Sequence, residues 1–148
     1  MTGTSTDYRR PESVLVVVFT DGGDVALLKR SKPFDFWQSV TGSLQAGETH
    51  AAAAQRELRE ETGLGNEGVL MFTGVSRQFT IDPRWRNRFA PGVTENVEYE
   101  YQYRVQNRTT ITLSEDEHSA LQWLPVEDAV RRVWSWTNRQ AIEQLNVT

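Results

Sequence analysis

The sequence contains no cysteine. Disulfides and thiol nucleophiles are therefore excluded. No apolar run approaches the ~20 residues that a membrane-crossing helix needs. The N-terminal stretch MTGTSTDYRRPE is polar and lacks an apolar signal core, and residues 1 to about 7 are expected to fray. An excess of basic charge is also absent. The formal net charge of −4 gives no general reason to bind a nucleic acid polymer or an anionic membrane. Neither an internal repeat nor a low-complexity segment interrupts the chain. These absences leave a cytoplasmic soluble protein as the expectation. With 148 residues, a single domain with one sizeable core follows.

What is there begins with a β-branched run, Val14 to Phe19, which predicts a strand buried on both faces. Asp21-Gly22-Gly23-Asp24 reads as a turn and Val25 to Arg30 as the return strand of a hairpin. Further strands are expected at 69–75, at 97–105, where strict alternation predicts a half-buried strand, at the short β-like Thr110–Leu113, and at 120–125. Helices are expected over 126–133 and 138–145. Trp37 reads as a core residue. Residues 76–96 interleave Arg84, Arg86 and Arg88 with Trp85 and Phe89 among prolines. They are either an edge strand with solvated arginines or a binding loop, offering cations to phosphate and an aromatic face to a planar ring.

The chain is organised around Gly42–Leu64, GSLQAGETHAAAAQRELREETGL. A glycine-containing loop leads to Thr49, a candidate N-cap, and then to a helix that Gly63 should stop. Glu57, Glu60 and Glu61 lie three and four apart and are expected to share one helix face. Like charges about 6 Å apart repel by ~0.7 kcal/mol in water and ~3 kcal/mol at an effective dielectric of 20. A partly buried face gains nothing from this unless a cation offsets it. Oxygen ligands clustered without Cys or His suit Mg²⁺ or Mn²⁺. A solvated helix carrying pairs such as Arg56–Glu60 explains the isolated string E-L-R-E-E equally well.

The frame around that string is more specific. It reads G-x5-E-x7-R-E-(apolar)-x-E-E-x-G-(apolar), with Gly42, Glu48, Arg56, Glu57, Leu58, Glu60, Glu61, Gly63 and Leu64 in place. Chance agreement at the seven Gly or charged positions is on the order of 10⁻⁸ to 10⁻⁹. This resembles the Nudix box at every specified position. The resemblance implies an α/β fold, an α/β/α sandwich on a mixed sheet with a loop-helix-loop catalytic motif. It implies a divalent cation, Mg²⁺ or alternatively Mn²⁺, held by Glu57 and Glu61 and joined by Glu60, which ligates or orients water. Glu48 and Arg56 are expected to form a structural ion pair. The backbone of Gly42 to Gly47 is expected to approach phosphate.

A closer resemblance covers nearly the whole chain. Phe36–Gly42, Ala90–Thr94, Glu117-His118 and Ser135–Gln144 are similar to those members of the family that cleave dihydroneopterin triphosphate in folate synthesis. It implies that Glu117 joins the metal site or acts as base, and that Arg9, Arg30, Thr41, Trp85, His118 and Ser135 contact substrate. The expected partner is thus a small triphosphate, and the protein itself a monomer or small homo-oligomer. Two alternatives stay open. One is a broader nucleoside triphosphate pyrophosphohydrolase acting on dATP or oxidised nucleotides. The other is a non-catalytic nucleotide sensor, which is expected to lose box carboxylates that are all present here. A glycoside hydrolase would be crowded by three carboxylates on one helix face, and net charge argues against a single-stranded nucleic acid binder.

Overall fold

The computed structural model describes residues 8–145; the fraying expected for residues 1–7 lies outside it. The elements run β1 (Glu12–Thr20), β2 (Asp24–Arg30), β3 (Phe36–Gln38), β4 (Val40–Ser43), α1 (His50–Thr62), β5 (Val69–Thr80), β6 (Glu95–Val105), β7 (Ala120–Pro125), α2 (Val126–Arg132) and α3 (Trp136–Glu143). A 3₁₀ helix at Pro83–Arg88 lies between β5 and β6.

One mixed seven-stranded sheet has the order β3-β2-β1-β6-β5, with β4 also on β1 and β7 also on β2. The apolar run 14–19 forms the middle of β1, buried throughout. Period-two alternation sends Val14, Val16 and Val18 into a core with Ala53, Ala54 and Leu58 of α1. Leu15, Val17 and Phe19 enter a second core with Ala129 of α2 and Ala141 and Ile142 of α3. The result is the α/β/α sandwich that the resemblance implied. Trp37 packs partly against the second core, as expected. No helix among the described residues is long and apolar enough to cross a membrane.

Three expectations change. β6 is not half-buried: Tyr101 and Tyr103 enter the α1 core, while Glu98 and Glu100 on the other face are also buried. The strand lies inside the sheet, between β1, to which it is parallel, and β5. β5 runs on to Thr80, past a register irregularity between Phe72 and Ser76, so the long segment 76–96 starts as strand and continues as 3₁₀ helix. Thr110–Leu113 is irregular rather than β. The Thr112 N–H is used on the Thr62 carbonyl at the end of α1, at 2.9 Å, and Ile111 and Leu113 pack on the α1 core.

Candidate functional site

The box folds as its sequence dictates. The Thr49 hydroxyl caps α1 by accepting from the Ala52 N–H at 3.1 Å. Gly63 takes a left-handed φ of 76° and returns its N–H to the Arg59 carbonyl at 2.9 Å. Arg56 grips Glu48 with two hydrogen bonds, Nε–Oε2 at 2.8 Å and Nη2–Oε1 at 2.9 Å, and Nη2 also donates to the Ser43 carbonyl at 3.1 Å. This bidentate pair holds Glu48 down to about 2. Arg10 secures the same loop by donating to the Gln45 and Glu48 carbonyls at 3.2 and 3.0 Å. It is a loop anchor rather than a free cation.

The three box carboxylates do not share one environment. Glu57 and Glu61 turn inward, with exposures of 8% and 1%. The Glu60 side chain is 53% exposed and accepts from Arg56 at 3.2 Å. The 3.6-residue repeat places Glu60 a step nearer solvent than Glu57 and Glu61. Gly42 makes room for the buried pair: a Cβ there would lie 1.9 Å from Glu57 Oε2. Its missing side chain thus admits a carboxylate of the chain itself. Neither carboxylate oxygen of Glu61 has a hydrogen-bond partner among the described residues. Burial pushes both Glu57 and Glu61 upward, and for Glu61 the neighbouring Glu57 and Glu117 add to the rise.

Glu117 arrives from the loop before β7. Together with Glu61 and His118 it brings one ligand atom per residue within 4.8 Å of one another. His118 lies behind Glu61, its Nε2 3.6 Å from Oε1 and 3.3 Å from the Gln38 amide nitrogen. Burial, followed by repulsion from Arg30, lowers its pKa to about 4. The ring is therefore neutral near pH 7 and does not offset the Glu61 charge. His118 is one of the expected substrate contacts. Its side chain has no exposure and lines neither of the two cavities described next.

One cavity, of about 660 Å³, lies over the box and is lined by Glu57, Glu117, Arg9, Arg30, Arg56 and Arg88. Arg9 is shifted downward by burial first, then by Arg88 and Arg30, so several cations are gathered with little solvent between them. The second cavity, of about 620 Å³, opens on the α3 face of the sheet. Arg9, Arg30, Thr41, Gly42 and Ser43 border both and join them. Trp85 and Ser135 line the second, so of the six expected substrate contacts only His118 is elsewhere. The Thr41 hydroxyl donates to the Val14 carbonyl at 2.9 Å, and Ser135 caps α3 by accepting from Asn138 N–H at 3.1 Å.

Besides Trp85, the second cavity holds two aromatic residues that sequence reasoning did not select, Phe36 and Trp134. Phe36, Trp85 and Trp134 come from three separate segments and pack with ring centroids 5.4–5.9 Å apart. Arg84 is spent on Asp82 at 2.9 Å and on the Phe34 ring at 4.0 Å. Asn96 and Glu98 of β6 also line the cavity. Their only signal in the sequence is polar residues inside a strand, which alternation alone assigns to solvent.

Comparison with known proteins agrees with this architecture. The NUDIX domain profile matches residues 9–145. The chain is 40% identical over 141 residues to the dihydroneopterin triphosphate diphosphatase of Escherichia coli (strain K12), covering 93% of each sequence. It is 36% identical over 141 residues to the Haemophilus influenzae protein of the same name, covering 93% of this chain and 88% of that one. The structure of the E. coli dihydroneopterin triphosphate pyrophosphohydrolase superposes with a TM-score of 0.87 at 40% identity, covering 93% of this chain and 96% of that one. An intact box on an α/β/α sandwich, a domain match over nearly the whole chain and relatives of this similarity place the chain in the Nudix family of hydrolases.

Proposed function

We propose that the protein hydrolyses dihydroneopterin triphosphate in a Mg²⁺-dependent reaction, giving dihydroneopterin monophosphate and pyrophosphate. The observation that carries this reading is the pair of joined cavities. One is walled by aromatic rings and has room for a bicyclic heterocycle; the other holds carboxylates and arginines; and Arg9, Arg30 and Thr41 border both. A planar ring linked to a triphosphate has this shape and charge distribution. The names carried by the E. coli and H. influenzae relatives support the same substrate.

The residues fit a hard divalent cation. Glu61 presents two buried oxygens that nothing in the described chain satisfies, and Glu57 lies next to it in the space that Gly42 leaves. Glu57 and Glu61 would hold the ion, with Glu117 and the more exposed Glu60 completing the set. A cation bound there supplies charge neutralisation at phosphate oxygens and a more acidic water. Arg9 and Arg30 bind the phosphates through planar donor forks and orient the chain for in-line attack. A box carboxylate or Glu117 accepts the proton of the attacking water. The water oxygen bonds to phosphorus, and the bridge between the α and β phosphates breaks, so pyrophosphate leaves.

The test is steady-state hydrolysis with Mg²⁺, comparing dihydroneopterin triphosphate with dATP, GTP and 8-oxo-dGTP, with product analysis. A kcat/KM preference for the pterin with release of pyrophosphate is expected. A preference for a nucleotide would overturn the substrate assignment, and orthophosphate as product would overturn the cleavage position.

A further inference from the structure

Glu98 is a buried carboxylate that the hydrolytic chemistry leaves without a use. It sits in β6 opposite Ser13 of β1, on the sheet face turned toward α3, and it lines the aromatic-walled cavity. Its exposure is 7%. Among the described residues no ion pair holds it; the neighbouring Arg77 pairs with Glu100 at 2.6 Å. Burial raises its carboxyl to about 7, a rise that Thr137 and Arg77 moderate and Glu100 reinforces. Asn96, two residues earlier on the same face, is fixed by donating its amide to Ser13 Oγ at 2.8 Å.

A carboxylate has about four acceptor sites, and the Thr137 hydroxyl beside Glu98 fills at most one of them, so a ligand that brings further donors is favoured here. The cavity limits what that ligand can be. Phe36, Trp85 and Trp134 present ring faces and edges suited to a flat heterocycle. The phosphates of such a ligand leave by the Arg9 and Arg30 border toward the box. The ring edge not joined to the phosphates is therefore the part left to meet the buried polar lining, which includes Glu98.

We propose that Glu98 is the specificity anchor for the heterocycle: its carboxylate accepts from the ring N–H and the adjacent exocyclic amine of a 2-amino-4-oxo-pyrimidine edge. Dihydropterins and guanine share this edge. Two neighbouring donors match two carboxylate oxygens. Adenine offers a donor beside an acceptor, and that acceptor would face a carboxylate oxygen. The proposal rests on the substrate reading above and deepens it, but it predicts a contrast between edges that does not depend on which triphosphate is turned over fastest.

The experiment measures kcat and KM for Glu98→Gln, Glu98→Asp and the native protein on dihydroneopterin triphosphate, dGTP and dATP, with a thermal melt of each. The amide of Glu98→Gln offers one acceptor and one donor, which suits adenine and misfits the pterin edge. Loss of a charged hydrogen bond in a buried site predicts a fall of about 10- to 100-fold in kcat/KM for the pterin and for dGTP, expressed mainly in KM. Activity on dATP should be kept or improved. Glu98→Asp retains both acceptors and should keep the native order of preference. Competition by unphosphorylated dihydroneopterin against adenosine, measured on the native protein, checks the same contrast without a variant. Equal losses on all three substrates, or an unchanged dGTP-to-dATP ratio, would overturn the anchor. A native protein that prefers nucleotides over the pterin would overturn the substrate reading alone, because the dGTP-to-dATP ratio still decides the role of Glu98.

Discussion

Glu61 and Glu100 are each 1% exposed, one on α1 and the other on β6, yet the chain surrounds them differently. Glu100 is met by Arg77 at 2.6 Å, and Arg77 is further held by Gln140 at 3.0 Å. Among the described residues Glu61 has no cation of its own: His118 beside it is neutral, and Arg56 is engaged with Glu48, Glu57 and Glu60. Removing a carboxylate from water costs several kcal/mol unless an opposite charge and hydrogen bonds replace the solvent. At Glu100 the fold supplies that replacement and the charge is structural. At Glu61 it does not, so the deficit is left for a ligand. Burial is common to both sites, and only the presence of an internal partner separates scaffold from candidate chemistry.

The comparison can be broken at either end. The largest effect is expected from Glu61→Gln. Turnover should fall by about a thousandfold or more, because the uncompensated carboxylate is the feature that holds the cation. The folded protein should survive, and in the presence of a chelator it should melt no lower than the native chain, since a buried unpaired charge has been removed. Mg²⁺ should raise the melting temperature of the native chain but not of the variant. Near-normal turnover of folded Glu61→Gln would remove this residue from the metal site.

The converse change is Arg77→Met. It leaves Glu100 buried without its partner, and urea unfolding should show a loss of roughly 3–5 kcal/mol. A change within ~0.5 kcal/mol would mean that the pair is not what keeps Glu100 in the sheet. A smaller effect sharpens the comparison at Glu98, which is buried like both but paired like neither. Its carboxyl rises from 4.5 to about 7 in the folded state. The folded protein therefore binds more protons than the unfolded chain between these values, and this residue lowers stability as pH rises through the window. Burial drives the rise; the Thr137 hydroxyl of α3 and Arg77 of β5 oppose it, and Glu100 of β6 adds to it. Relative to the native chain, Glu98→Gln should gain on the order of 2–3 kcal/mol between pH 4.5 and 8, with little change outside that range. A flat difference would refute the shifted carboxyl.

Much of the site near the box was legible in the chain. Thr49 and Gly63 follow from short-range rules, since a cap and a left-handed stop involve neighbours in sequence, and the Glu48–Arg56 pair is what the resemblance to the box implied. The division among Glu57, Glu60 and Glu61 was not legible, because it depends on what packs against α1. The same limit misassigned 97–105. Alternation reports that two faces differ, but a second layer, here α3, can cover the polar face as well. Thr110–Leu113 has β-like residues, yet its backbone completes the end of α1.

The box, its helix, the doubly buried β1 and the family to which they belong were already written in the chain. These depend on local periodicity and on fixed spacings of glycine and charge, which the chain carries wherever it folds. That His118 packs beside Glu61, that Gly42 yields its space to Glu57, and that Glu98 faces the aromatic cavity depended on how the layers pack. Each of these is a contact between segments far apart in the chain. Which buried charge finds a partner is settled by how the layers pack, and no local pattern encodes it.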